Sequence, residues 1–153
     1  MVLPEITNLY SEEISTISRQ RQRAVRRGTW QKAGDLPSSF RYAVQGLTYG
    51  FRSQRNFRIH VVFGVLACLL GLFLELNQIN MAMIVLTVTA VLVLELINTS
   101  IEAVVDLAIG RRFHPLARIA KDCAAAAVLV ASVCSVLIAC FLLLPPLCAR
   151  LGL

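Results

Sequence analysis

Residues 79–106 read Ile79-Asn-Met-Ala-Met-Ile-Val-Leu-Thr-Val-Thr-Ala-Val-Leu-Val-Leu-Glu95-Leu-Ile-Asn98-Thr-Ser-Ile-Glu102-Ala-Val-Val-Asp106. The first sixteen residues are almost wholly apolar. The last twelve carry four acidic or amide side chains at offsets 0, 3, 7 and 11. At 100° per residue these fall at roughly 0°, −60°, −20° and +20°, so one helix face presents all four. Such a segment is long enough to cross a bilayer. Glu95 lies sixteen residues from Ile79, or roughly 24 Å along a helix that rises 1.5 Å per residue. A hydrocarbon core is about 30 Å thick. Glu95 is thus expected near one edge of the apolar layer, with Asn98, Glu102 and Asp106 climbing into the headgroup zone.

Two further apolar runs flank this one. Ile59–Leu76 is just long enough to span, and Glu75-Leu76-Asn77-Gln78 is a short polar break after it. Cys123–Leu144 is the third, opened by Ala124–Ala127, small residues that let helices approach closely in lipid. Pro145-Pro146 is expected to end it. The whole chain is 57% hydrophobic with a mean hydropathy of +0.69, above the roughly 45–50% usual for soluble domains. Ahead of the spans, Pro37-Ser38-Ser39 reads as a helix start with Ser38 or Ser39 as cap. Phe40, Val44, Leu47 and Phe51 then form an apolar stripe accompanied by Arg41, Arg52 and Arg55, the pattern of an interfacial helix. The predicted fold is therefore an all-α membrane protein. A surface helix over 39–57 precedes spans at about 59–76, 79–106 and 121–144. Residues 1–36 form a polar, basic extension without regular order, and 37–153 the membrane domain.

Ten of the fifteen Lys and Arg residues precede the first span, four (Arg111, Arg112, Arg118, Lys121) lie between the second and third, and only Arg150 follows. The positive-inside rule then puts the N-terminus and the 107–122 loop in the cytoplasm of a bacterial-type inner membrane. The run Arg19, Arg21, Arg23, Arg26, Arg27, with Trp30 after it, reads either as a solvated charged tail or as a polybasic patch for anionic lipid. Nucleic acid is not expected as a partner of a tail fused to a membrane domain. Met1–Ser18 has no apolar core and does not read as a signal peptide. The five cysteines, Cys68, Cys123, Cys134, Cys140 and Cys148, lie in or beside apolar runs without CxxC spacing, and read as packing residues.

A carboxylate inside a bilayer is a functional candidate by default. Glu95, held partly out of water at headgroup depth, suits a general base acting on a lipid hydroxyl. Glu102, nearer water, can hold a hard divalent cation. Asn98 can orient a phosphate or that cation. Lys121-Asp122 adds a positive charge for phosphate and another carboxylate. A base, a metal carboxylate and a lysine are what phosphoryl transfer needs. The chain has no Gly-rich phosphate loop of the P-loop kind. One alternative is a small channel or proton-relay subunit, but that would want carboxylates spread across the membrane, and the outer half of this helix offers only Thr87 and Thr89.

Glu95-x-x-Asn98-x-x-x-Glu102-x-x-x-Asp106, in the local form ELINTSIEAVVDL, resembles the central motif of the small prokaryotic diacylglycerol kinase and undecaprenol kinase family. His114 and Ala120-Lys121-Asp122 before an Ala-rich helix match as well. So does SFRYAVQGLTYGFRSQRNFRIH, which resembles the family's surface helix entering its first span. The resemblance covers about residues 39–145. It implies a lipid kinase that uses ATP and Mg2+ and works as a homotrimer with active sites shared between subunits. It implies Glu95 as proton acceptor and Glu102 as metal ligand. Asn98, Glu102, Asp106, Lys121 and Asp122 would line the nucleotide site, and Arg52, Asn56 and Arg58 the lipid entrance beside Glu95. Diacylglycerol or undecaprenol would be the acceptor, with NFRIH and the basic extension leaning toward the undecaprenol branch. One position departs: where the family usually has a second metal-binding glutamate, this chain has Gln54. The departure predicts weaker or rearranged metal binding, or a catalytically silent scaffold of the same fold.

Overall fold

The structure is a computed structural model that describes residues 35–110 and 112–152. The basic run at 19–27, Trp30 and Arg111 lie outside the described residues. Four helices account for nearly all of the rest: α1 (Leu36–Ser53), α2 (Arg55–Phe73), α3 (Gln78–Ile109) and α4 (Pro115–Leu151). Three of them, α2, α3 and α4, are long and apolar enough to cross a membrane. The protein is an all-α membrane protein, as its hydropathy pattern requires.

The chain divides by its contacts into Met1–Tyr42 and Ala43–Leu153. In the first unit, the start of α1 lies earlier than the Ser38 or Ser39 cap predicted. Asp35 is the cap: its Oδ1 accepts from the Ser38 N–H at 3.1 Å, and Ser39 Oγ donates to the Asp35 carbonyl. Aspartate serves as well as serine in this place, and Pro37 fits within the first turn, where its missing N–H leaves no bond unmade. The Ser38 hydroxyl and N–H both hold the Asp35 carboxyl below its ordinary value of 3.8. Arg41 lies over the Tyr42 ring, 5.4 Å from its centroid.

In the second unit, the surface helix ends sooner than the sequence suggests. Gln54 takes an extended conformation (φ −101°, ψ 115°) and caps α2, so Arg55, Asn56 and Phe57 belong to the first turn of the spanning helix instead of the last turn of the surface helix. Two features favour a corner here. Ser53 Oγ donates back to the Tyr49 carbonyl, a local bond that competes with the helix. Arg58 Nη1 donates to the carbonyls of Phe51 and Arg52, at 3.3 and 3.0 Å, satisfying acceptors that the end of α1 leaves free. Gly50 lets α1 approach α3, since a Cβ there would stand 2.9 Å from Leu96 Cδ2.

The α2–α3 turn is closed by a Schellman motif. Leu76 N–H donates to the Gly71 carbonyl and Glu75 N–H to the Leu72 carbonyl, with Glu75 in the left-handed region at φ 55°. Asn77 then caps α3 by accepting from the Asn80 N–H at 2.9 Å. At the other end of α3, Gly110 supplies a positive φ of 62°, and the chain turns into α4. His114 Nδ1 accepts from the Leu116 N–H, and Pro115 occupies the first helical position, where it is favoured.

The third span does not stop at Pro145-Pro146. The helix runs through both prolines to Leu151. Helix in lipid tolerates proline where neighbours offset the lost backbone bonds, and here the extension is held. Arg150 Nη1 donates to the Phe73 carbonyl at 2.8 Å, and its guanidinium lies 4.5 Å from the Phe73 ring centroid, so the last turn of α4 caps the end of α2. The most buried apolar cluster lies at this end: Leu74, Ile84 and Leu143, packed by Ala67, Cys68 and Val88 among others. Of the cysteines, Cys68 takes the packing role predicted; the other four are exposed on this single chain. The packing of α3 against α4 is the most extensive helix contact.

Candidate functional site

Glu95 is 3% exposed and Asn98 9% exposed, although both are polar and lie on an apolar helix. Thr99, also buried, donates its hydroxyl to the Glu95 carbonyl. Polar groups so placed need partners. Those of Asn98 are divided. Its Nδ2 donates to Glu102 Oε1 at 3.2 Å, whereas its Oδ1 is buried and has no hydrogen-bond partner among the described residues. The packing of the described helices thus leaves one acceptor open beside a buried carboxylate.

Both residues line a cavity of about 290 Å3. Asn56, Ile59 and His60 of α2 form one wall, Glu95 and Asn98 of α3 another, and Ala125, Val128, Leu129 and Ser132 of α4 the third. Each wall follows from helical spacing. Asn56 and His60 are four residues apart, Glu95 and Asn98 three, and Ala125, Val128 and Ser132 step by three and four. Ser132 is eleven residues beyond Lys121, close to three full turns, and so shares its side of α4.

The polar face continues past the cavity. Asp106 Oδ1 meets Lys121 Nζ at 2.5 Å, across the α3–α4 turn. Asp122 instead faces Arg118 of its own helix, Nε to Oδ2 3.5 Å. The predicted residues thus do not all meet in one place. Glu95, Asn98 and Asn56 share the cavity, with Glu102 joined to Asn98. Asp106 and Lys121 form a pair. Asp122 is turned to Arg118, and Arg58 is engaged at the α1–α2 corner. Arg52 is exposed, and its carbonyl accepts from Arg58. His60, Ser132 and Arg118 were not anticipated. The signal for His60 was present in the sequence, since a histidine on the same face as Asn56 within an apolar run needs a polar neighbour.

No three His, Cys, Asp or Glu side chains converge as a metal site among the described residues. A magnesium ion carried with phosphate does not need three, because it binds through one or two carboxylates together with phosphate oxygens and water. Glu102 retains Oε2 beyond its bond to Asn98. Gln54 makes no side-chain capping bond to α2, so its amide oxygen is not committed there. Each is an oxygen donor of the kind such an ion takes.

Residues 41–143 match the family model for prokaryotic diacylglycerol kinase. The chain belongs to this family. A diacylglycerol kinase of Synechocystis sp. is 48% identical over 126 residues, 82% of this chain and 72% of the relative. An undecaprenol kinase of Bacillus subtilis is 40% identical over 109 residues, 71% of this chain and 88% of the relative. A diacylglycerol kinase of Escherichia coli is 35% identical over 102 residues, 67% and 83%. As a member of the prokaryotic diacylglycerol kinase family, the chain is a lipid kinase, a phosphotransferase with an alcohol as acceptor.

Proposed function

We propose that this kinase transfers the γ-phosphoryl group of ATP to the primary hydroxyl of a membrane lipid, diacylglycerol or undecaprenol, with Glu95 as the base. The observation that carries the reading is the buried Glu95 carboxylate opening into a polar cavity beside the unpartnered Asn98 Oδ1. A lipid hydroxyl entering this cavity presents its proton to Glu95. The nucleotide phosphates would lie along the outer part of the same face. There Lys121, beside Asp106, offsets phosphate charge, Asn98 and Asp106 orient the polyphosphate, and Asp122 with Arg118 borders the site. Magnesium, when bound, neutralises charge that develops on the transferring phosphoryl group. Glu102 and the amide oxygen of Gln54 would hold it. Arg52 and Asn56 would frame the lipid's approach, with Arg58 fixing the corner on which they stand.

Two further readings belong to this proposal. The enzyme works as a homotrimer, and it lies in the inner membrane with the N-terminus and the α3–α4 turn facing the cytoplasm, where ATP is. Support for the orientation comes from the distribution of Lys and Arg.

The test uses ATP labelled on the γ-phosphate with diacylglycerol and undecaprenol, each in mixed micelles. Label is expected in phosphatidic acid or undecaprenyl phosphate. Glu95→Gln is expected to lower turnover about 100-fold or more, the range that general bases contribute, while nucleotide binding stays within about twofold. Retained turnover in this variant would remove Glu95 from its assigned role. Vesicle conductance without ATP-dependent labelling would favour a channel, and oligomers without nucleotide binding a silent scaffold.

A further inference from the structure

Two cavities of the membrane unit meet at His60. The polar one holds Glu95 and Asn98. The other, of about 430 Å3, runs between α2, α3 and α4 toward the α2–α3 turn and is lined almost wholly by apolar side chains, among them Phe63, Val88, Val136 and Leu143. Ile59, His60 and Ser132 line both. A molecule with a polar head at Glu95 and an apolar chain in the larger cavity must therefore pass His60 and Ser132.

We infer that His60 binds the acceptor hydroxyl of the lipid, donating a hydrogen bond to its oxygen while Glu95 takes its proton; the inference rests on the kinase reading above. An alcohol oxygen has one O–H and two lone pairs. The O–H belongs to Glu95 and one lone pair must be free to attack phosphorus. The second can accept from a donor, and a donor there fixes the direction of the attacking pair. The cavity offers few candidates. The Ser132 hydroxyl is spent on the Val128 carbonyl at 2.8 Å. One N–H of Asn98 donates to Glu102 and its Oδ1 is an acceptor, which leaves its second N–H as a rival donor. Asn56 is exposed at the rim, whereas His60 is half-buried and no hydrogen bond of its side chain to another described residue competes. A neutral imidazole carries one N–H donor. In the step, the lipid O–H bond breaks and its proton passes to the Glu95 carboxylate. The lipid oxygen forms a bond to the γ-phosphorus. The bond from that phosphorus to the β–γ bridging oxygen breaks, and ADP leaves with the electron pair. His60 keeps its proton throughout.

The experiment compares wild type, His60→Ala, His60→Gln and Glu95→Gln, all as full chains in mixed micelles, with the lipid and ATP varied separately. His60→Ala is expected to lower kcat/KM for the lipid about tenfold or more, with KM for ATP within twofold. His60→Gln, which keeps an N–H donor, is expected to recover most of that loss. An unchanged kcat/KM for the lipid in His60→Ala overturns the assignment. So does an equal loss in both His60 variants, which would mark a packing role. Wild type that labels no lipid, or Glu95→Gln that retains turnover, defeats the kinase reading itself; active wild type beside an unaltered His60→Ala defeats only the role of His60.

Discussion

Gln54 stands where the resemblance leads one to expect a glutamate, and the structure gives its backbone a task. Its backbone makes the corner between α1 and α2, while its side chain is free of capping bonds. The backbone task needs no amide in particular, so the side chain can be changed without losing the corner. Gln54→Glu is expected to lower the magnesium concentration for half-maximal activity by about tenfold, because a carboxylate adds charge and basicity to an oxygen shell. Titration of activity against magnesium checks this, and an unmoved midpoint would place Gln54 outside the shell. The stripe Glu95, Asn98, Glu102 and Asp106 was legible because helical spacing fixes direction. Who meets whom between helices was not. Asn98 with Glu102 and Asp122 with Arg118 are neighbours four residues apart on one helix, but Asp106 meets Lys121 only because of where α4 stands beside α3.

Among the elements, the turns carry the most specific sequence chemistry. Glu75 holds a left-handed conformation that glycine adopts without strain. Glu75→Gly is expected to stabilise the protein by up to about 1 kcal/mol, seen as a raised thermal midpoint in detergent, with activity unchanged. Gly64 presents the opposite case. A Cβ there would lie 2.5 Å from Val88 Cγ1, and a short β-branched side chain cannot swing aside as a long one can. Gly64→Ala is expected to destabilise by about 1–3 kcal/mol as α2 is pushed off α3, which a lowered thermal midpoint would register. The helices themselves were visible as apolar runs, but not their ends. The surface helix stops at Ser53 because of local bonding at Ser53 and Arg58. The last helix outruns its prolines because Arg150 finds a partner seventy-seven residues back. Hydropathy records the average solvent of a segment, and neither event changes that average.

At the scale of the whole molecule, a single chain covers little of its own apolar surface. In lipid this creates no hydrophobic drive by itself, since acyl chains are as apolar as leucine. The polar cavity changes the balance, because a polar opening between three thin helices is costly against acyl chains unless something shields it. The homotrimer proposed above would supply that shield. Cross-linking in mild detergent is expected to trap a species of three chains, with Glu95→Gln no less assembled than wild type. A monomer that remains fully active would overturn this.

Composition and periodicity alone determined that the chain enters a membrane, that three of its segments are apolar and long enough to span it, and which face of the middle one bears the acidic groups. They do so because a bilayer rewards apolar length and a helix converts spacing into direction. Only the tertiary structure decided that Glu95 and Asn98 share a cavity with His60 and Ser132. Those residues come from three helices far apart in sequence, and no local rule fixes how such helices rotate against one another.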